Sequence, residues 1–484
     1  MRIVIDMQGA QTQSRLRGIG RYTLAFARAV ILQRKEHEVH LVLNGLLEDS
    51  IESIREGFSD ILPQEQIHIW TAPGPVQLIH PQNAQRLGAA EVLREAFIRA
   101  LAPDIVHITS LFEGYVGDAV TSVGEYDRHS RVSVTLYDLI PLLNREEYLS
   151  DNPRYEQYYL SKVECLRRAA INLAISDFSR AEAANLLGLE DQRIVSKSSA
   201  ADSQFQTLKE IEESGSQMLE RLGIEQPFVL YTGGSDTRKN LIRLITAFQK
   251  LPDALRSRTQ LVFAGRMSLD FLHQVKALRH VKDRLVFTDF VTEEELVALY
   301  NLCECFVFPS WHEGFGLPVL EAMSCGAVVI AADAASIPEV LGASEALFDP
   351  FDIDDIRDRL QSALCDEQFR NRMRAHALVQ AKNFSWSETA RIAIAAWEGL
   401  LATPPIIHHD VAASHREGNS PQDLLTESVP YGQVAVQVVA DVTAALKEKN
   451  LLPESDEDLL KLAEALHFNL VNLNMISCAG EAAN

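Results

Sequence analysis

Short apolar runs separated by segments of helical composition recur along most of this chain, and that alternation constrains the fold more than any single motif. Ile3–Asp6 reads as a strand and residues 19–30 as the helix after it. Val39–Leu43, Ile105–Ile108, Ser133–Leu136 (continued by Asp138–Pro141) and Ile171–Ser176 repeat the theme, with a further helix over 180–187. Runs this continuously apolar suit strands buried on both faces, and strands spaced by helices imply parallel pairing through crossover connections. A polar stretch over 198–216 breaks the pattern. It restarts at Phe228–Tyr231 and runs through Leu261–Ala264, Leu285–Phe287, Cys305–Phe308 and Ala327–Ala331. The expectation is an α/β protein of two doubly wound halves facing a cleft lined by strand carboxyl ends, where such sheets place ligands.

At 484 residues the chain is too long for one core, so two domains and an extension are expected. A net charge of −22 excludes a nucleic-acid binder, which needs clustered Lys and Arg to neutralise phosphates, and disfavours a polybasic membrane patch. The six cysteines (165, 303, 305, 325, 365 and 478) show no CxxC or metal-ligand spacing and read as buried free thiols of a reducing cytoplasm. Cys303 and Cys305 are expected on one face of one strand. No signal peptide precedes Met1–Ile5, and no apolar run approaches the roughly 20 residues of a membrane span.

Chemistry concentrates around residue 313. Glu313 is expected at the carboxyl end of the strand over 305–308, and Glu321 about two turns along the helix that follows. Between them the backbone N–H groups of Gly314, Phe315 and Gly316 would face the crevice, a favourable place for an anion, and Pro318 suits a first helical turn. The pattern describes a site for a phosphorylated ligand that also carries hydroxyls. Earlier, Gly233 and Gly234 permit close backbone approach, and Arg238 and Lys239 meet the same crevice. Two cations at a helix start oppose its dipole, so a purely structural role is disfavoured; they suit a departing diphosphate on which charge grows. Gly265-Arg266 closes the next strand and is placed at the edge of the nucleotide base.

In the first half, Gly18-Ile19-Gly20 is half of a dinucleotide fingerprint. The long loop after Asp6 and the missing acid after Leu43 argue against a nicotinamide site. A ligand-facing loop and a tight helix entry both remain open for it. His107 reads as a structural strand residue. Asp352-x-Asp354 and Asp456-x-Asp458 read as helix starts rather than metal sites, because acids complement the N-terminal dipole. His408-His409 reads as solvated linker.

The ordered set of strand, Gly-Phe-Gly-Leu-Pro, helix, Cys325–Ile330 and Pro338–Val340 resembles the donor-site signature of retaining glycosyltransferases of family GT4, which have the two-Rossmann-domain GT-B fold. The resemblance covers roughly residues 1–402. It implies that Arg238 and Lys239, with the amides of Gly316 and Leu317, hold the diphosphate, that Glu321 holds the ribose, and that Glu313 binds sugar hydroxyls. Gly18 and Gly20 match the family's glycine loop. Many members carry His-Asp where this chain has Tyr137-Asp138; a phenol is a poor proton shuttle near neutral pH, so Asp138 is the candidate for orienting the acceptor. The family needs no metal or cofactor beyond its nucleotide sugar.

Met1–Gly9, Gly18–Tyr22 and Tyr137–Leu142 are similar to a narrower group, the bacterial polymannose O-antigen mannosyltransferases. The amino-terminal module of that group adds α-1,2-linked mannose from GDP-mannose. The resemblance therefore implies transfer of mannose to a mannose-containing glycan or lipid-linked acceptor; a different nucleotide sugar, an epimerase and a non-catalytic scaffold are the alternatives. The expected division is 1–205 for the acceptor domain, 206–384 for the donor domain, 385–402 for a crossover helix and 403–484 for a linker with two amphipathic helices, over 434–449 and from Ser455. Residues 403–484 hold 12 acidic and 4 basic side chains. Two such helices cannot form a core alone, so they dock on the body, on a membrane-associated protein partner or on a further domain like that of tandem members. With all candidate site residues before Leu401, the tail is expected to be dispensable for transfer. The expected location is the cytoplasm, including the inner face of its membrane.

Overall fold

The computed structural model describes residues 1–16, 18–208, 213–278, 284–402 and 431–475. These residues divide into two compact units. One comprises Met1–Ala174, Ala183–Lys197 and the described residues from Ala390 onward; the other comprises Ile175–Glu182 and those from Ser198 to Thr389. The linker residues 403–430, with His408 and His409, and Cys478 lie outside the described residues.

The first unit is built on seven parallel strands: β1 (Arg2–Asp6), β2 (Glu38–Asn44), β3 (Ile67–Trp70), β4 (Ile105–Ile108), β5 (Arg131–Leu136), β6 (Ile171–Ala174) and β7 (Ile194–Ser196). Their order is β3-β2-β1-β4-β5-β6-β7. The second unit has six parallel strands: β8 (Phe228–Thr232), β9 (Gln260–Ala264), β10 (Leu285–Asp289), β11 (Cys305–Phe308), β12 (Val329–Ala332) and β13 (Leu347–Phe348). They run β10-β9-β8-β11-β12-β13. Central strands such as β8, β11 and β12 are buried throughout, as their unbroken apolar sequences require. The strands that sequence reading passes over, β3, β7 and β13, are all sheet edges of two to four residues with partly exposed positions. An edge strand needs no continuous apolar run, so it leaves no such signal.

Three expectations are corrected. Asp138–Pro141 does not continue a strand: β5 ends at Leu136, Asp138 Oδ1 accepts the Ile140 N–H at 3.1 Å, and Pro141 sits in the first turn of the helix Ile140–Leu143. Cys303 shares no strand with Cys305, because it caps the carboxyl end of the helix Glu293–Leu302. Cys165, Cys303, Cys305 and Cys325 are buried free thiols, whereas Cys365 is exposed.

The helix Trp386–Ala402 joins the first unit from Ala390 onward, where the wholly buried Trp397 donates from Nε1 to Ser133 Oγ at 2.9 Å. Two further helices, Tyr431–Glu448 and Asp456–Asn472, dock on the body of the same unit. Val442, Leu446 and Leu462 enter its core beside Trp70, Val92 and Phe97. Asn469 pairs with the backbone just beyond edge strand β3, accepting from Thr71 N (2.8 Å) and donating to Thr71 O (3.0 Å). The Asp456–Asn472 helix starts as expected, with the Ser455 side chain accepting from Asp458 N.

Candidate functional site

In a doubly wound sheet the ligand crevice opens where successive strands depart in opposite directions. In the second sheet that reversal falls between β8 and β11. The segments leaving these two strands carry Gly233–Asn240 and Pro309–Gly316, so residues 74 apart in sequence meet at one strand edge.

The meeting point is Glu313. Its Oε1 lies 2.7 Å from Arg238 Nη1 and 2.5 Å from Lys239 Nζ, and accepts the Ser310 hydroxyl at 2.6 Å. The carboxylate side chain is 11% exposed, and the two cations are 20% and 13% exposed. Burial alone would raise the carboxyl pKa. Lys239 and Arg238 outweigh it by their charge, helped by the hydrogen bonds from Lys239 and Ser310, and hold it at about 2. Glu313 is therefore an anion and an acceptor at any physiological pH, never a proton donor. Arg238 Nε also lies 3.6 Å from the more exposed Asp236, so two cations stand with two carboxylates, and their N–H donors rather than a net charge are what the cluster offers an incoming anion.

The backbone places these groups. Asp236 caps the short turn Thr237–Lys239, accepting from Arg238 N, and Asn240 then takes a left-handed conformation (φ 61°, ψ 28°) that turns the chain into the helix Leu241–Gln249. Asn tolerates this region because of its short polar side chain. Here that side chain also donates to Pro309 O (3.2 Å) and Pro350 O (2.6 Å), tying the two segments together. Arg238 binds across the gap at both ends: Nη1 donates to His312 O (2.9 Å), and its carbonyl accepts from Trp311 N (3.0 Å). Gly233 has φ +132°, and Gly265 has φ +130° with any added Cβ 2.4 Å from Gly233 O, so both positions demand glycine. Gly234 faces open space.

Gly316 (φ +104°) opens the helix Leu317–Ser324. The turn before it is held by Ser336 Oγ, 2.9 Å from the carbonyl oxygens of Glu313 and Phe315, and by the Ser179 hydroxyl donating to Gly314 O. These contacts use carbonyl oxygens; among the described residues no hydrogen bond uses the N–H groups of Gly314, Phe315, Gly316 or Leu317. Glu321 is buried on that helix and accepts from the Tyr300 hydroxyl (3.1 Å), which also meets Thr232 Oγ1 (2.9 Å). Ser310, Asn240, Tyr300 and Ser336 are the positioning residues that sequence reading missed. Only Asn240, an αL-tolerant residue directly after the cations, carried a local signal.

The first-unit candidates stand on a different sheet. Its reversal lies between β1 and β4, and Gly18 and Gly20 follow β1. Gly20 has a packing reason to be glycine: an added Cβ would lie 2.3 Å from Arg15 Cα in the preceding turn. Asp138 follows β5, half-buried, capping the turn described above. Burial pushes the Tyr137 phenol far above its ordinary value, so it exchanges no proton near neutrality. His107 is wholly buried between Ser133 Oγ and Thr135 Oγ1, each at 3.0 Å, as a structural residue would be. Asp352 is occupied as a helix cap by the amides of Asp354 and Asp355.

Two family models match this chain: "Glycosyltransferase Family 4" over residues 16–196 and "Glycosyl transferases group 1" over 218–379. The chain is 37% identical over 406 residues to the serotype-specific mannosyltransferase WbdA of Escherichia coli, covering 83% of this chain and 48% of that protein. It is 34% identical over 279 residues to the O-antigen chain mannosyltransferase B of the same organism, covering 56% of this chain and 71% of that one. It thus spans about half the length of the WbdA relatives it matches. Among solved structures, Anabaena HepE with UDP and glucose aligns over 83% of this chain and all of that one (TM-score 0.56, 17% identity). WaaG, a glycosyltransferase involved in lipopolysaccharide biosynthesis, aligns over 81% and 98% (TM-score 0.55, 16% identity). At such identities these likenesses show the fold, GT-B. Both halves of the chain and its mannosyltransferase relatives agree, and the chain belongs to glycosyltransferase family 4.

Proposed function

We propose that this protein transfers mannose from GDP-mannose to a mannose-terminated acceptor in the assembly of an O-antigen or related surface polysaccharide, with an α-1,2 linkage and retention at the anomeric carbon. The observation that carries the reading is the Glu313–Arg238–Lys239 cluster at the β8/β11 reversal, an anion site with a hydroxyl acceptor built into it. All three contacts described above fall on Glu313 Oε1, leaving Oε2 to accept from a sugar hydroxyl. Arg238 and Lys239, with the amides of Gly316 and Leu317, neutralise the departing diphosphate, and Glu321 binds the ribose. Gly233, Gly234, Gly314 and Phe315 let backbone approach the donor. Asp138 orients the acceptor hydroxyl. A carboxylate fixed as an anion and already paired with two cations is a poor covalent nucleophile, which supports attack from the face of the departing phosphate, with that phosphate taking the acceptor proton. No divalent ion is required, because fixed cations and helix amides do the neutralising. The mannosyltransferase names of the relatives support the sugar, although this chain spans only about half the length of the WbdA relatives.

The test is incubation of the purified chain with a panel of nucleotide sugars and α-mannosyl acceptors, with the product linkage read by NMR. Transfer from GDP-mannose giving an α-1,2-linked mannoside is expected. Transfer of a different sugar, donor interconversion without acceptor, or a β-linked product would overturn the corresponding part of the reading.

A further inference from the structure

The first unit carries an aromatic face that the reading above does not use. The segment after β4 enters it with Phe112, Glu113, Tyr115 and Val116, and the helix Pro153–Arg168 contributes Tyr155, Tyr158 and Tyr159. Tyr115 meets Tyr155 edge-on at 4.9 Å and Tyr158 at 5.5 Å, while Phe112 stacks on Tyr159 at 4.7 Å. Tyr158 and Tyr159 are buried and form the floor; Tyr115 and Tyr155 are half-buried, and Val116 stands 58% exposed beside them. The face is held in place. Gly114 (φ +106°) turns the chain where an added Cβ would lie 2.3 Å from Ala119 O. Ile79 N donates to Tyr115 O (2.8 Å), and Asp118 accepts from Val76 N (2.7 Å) and Gln77 Nε2 (2.9 Å).

Polar groups ring the aromatics. Tyr115 Oη donates to Asn152 Oδ1 at 3.3 Å, and Glu113 accepts the Ser110 hydroxyl at 3.0 Å. Glu113 and Asp138 both bear on Tyr155 by their charge and, after burial and Tyr115, help keep its phenol protonated. The nearby cation Arg154 is turned to the Ile79 carbonyl at 3.1 Å. Carboxylates, phenols and an amide around half-buried rings do not suit a phosphate, and they are too polar for an acyl chain. They suit a pyranose, whose axial C–H face packs on an aromatic ring while its hydroxyls donate to carboxylates and exchange hydrogen bonds with amides and phenols. The segment carrying Tyr115 leaves the sheet at its β1/β4 reversal, and Asp138 leaves the adjacent strand β5, so the aromatic face continues from the candidate acceptor position.

We propose that Tyr115, Val116, Tyr155 and Asn152, with Glu113, form a subsite for the inner sugars of an oligosaccharide acceptor, one or more residues back from the sugar that is glycosylated. The proposal rests on the transferase reading for its orientation, with Asp138 at the reacting end. It makes the enzyme an elongating one, whose affinity grows with acceptor length.

Calorimetric titration of the full chain with α-1,2-linked mannose oligomers of one, three and five sugars, without donor, tests it. Affinity should rise from monomer to trimer. Tyr115→Ala should weaken the trimer by roughly fivefold to tenfold, the scale of one aromatic contact, and leave the monomer unchanged. Tyr115→Phe should bind within about twofold of the parent, a ring contact being retained. Val116→Arg, at an exposed position, should also flatten the dependence on length. An affinity that does not rise with length, or a rise that survives both Tyr115→Ala and Val116→Arg, overturns the subsite. Failure of the function reading looks different: length-dependent, Tyr115-dependent binding without mannose transfer would leave the subsite standing and remove the proposed reaction.

Discussion

Replacing Glu313 by Gln keeps the shape of the side chain and removes the charge that Arg238 and Lys239 share. A carboxyl whose ordinary value is 4.5 and which sits at about 2 in the folded protein contributes about 3 kcal/mol to stability at neutral pH. The sign follows from the direction: the folded value is depressed, so the contribution is complete above about 4.5 and is lost as pH falls through about 2. Removing one partner of a buried pair costs a similar amount, about 3–5 kcal/mol, because the remaining charges stay desolvated. For a unit of this size each kcal/mol moves the melting temperature by about 2–4 °C, so a fall of about 6–20 °C is expected at pH 7. Calorimetric melts of parent and Glu313→Gln between pH 3 and pH 7 check this. The gap should be full at pH 6–7 and narrow below about pH 4.5, where the unfolded parent takes up a proton that the folded carboxylate does not bind until about pH 2. A variant that melts with the parent at pH 7, or a gap that widens as pH falls, would refute the assignment of Glu313 as the anchor of the two cations.

Lys239→Ala should lower transfer by at least about 100-fold, the scale of losing one preorganised stabilising group, with a smaller fall in melting temperature than Glu313→Gln because Arg238 still pairs with Glu313. Steady-state kinetics and melts on the same preparations distinguish the two effects. Transfer should persist at the parent rate in excess chelator, and loss that Mg²⁺ or Mn²⁺ restores would return Asp352 and other acids to consideration as metal ligands. Leu446→Ala, at a wholly buried position of the tail, should destabilise the protein by about 2–5 kcal/mol in denaturant unfolding; a value near zero would mean that the tail helix is not part of the core.

The parts of the fold read most directly from the sequence were those buried on both faces. β8 (FVLYT), β11 (CFVF) and β12 (VIAA) announce themselves because a central parallel strand has no solvent side on which to place a polar residue. β3 (IHIW) hides because His68, on an edge strand, breaks the run. Around the candidate site, the residue types were legible and their pairing was not. Gly233, Gly234, Arg238, Lys239 and Glu313 all stood out, but nothing local says that Glu313 pairs with the two cations rather than lying free as a helix cap. That pairing depends on strand order, which places β8 beside β11 although two other strands intervene in sequence. Ser310 and Tyr300 were invisible for the same reason: a hydroxyl on a strand end or helix has no distinctive neighbours until a buried carboxylate is brought to it.

The tail shows the limit most clearly. An amphipathic helix states that something covers its apolar face and leaves open what does, so residues after Leu401 read equally well as an appendage for a partner. In the folded chain Leu446 and Leu462 belong to the same core as Trp70 and Phe97, and Asn469 satisfies the N–H and C=O of Thr71 beyond an edge strand. Cutting after Leu401 would therefore strip a layer from the first unit, open the end of β3 and leave two paired backbone groups bare. A shortened chain is accordingly expected to lose activity through loss of folding, and its circular dichroism melt should report this before any acceptor is added. A truncated protein that melts like the full chain and still transfers sugar would place the docked helices outside the cooperative unit, leaving them to serve a partner instead.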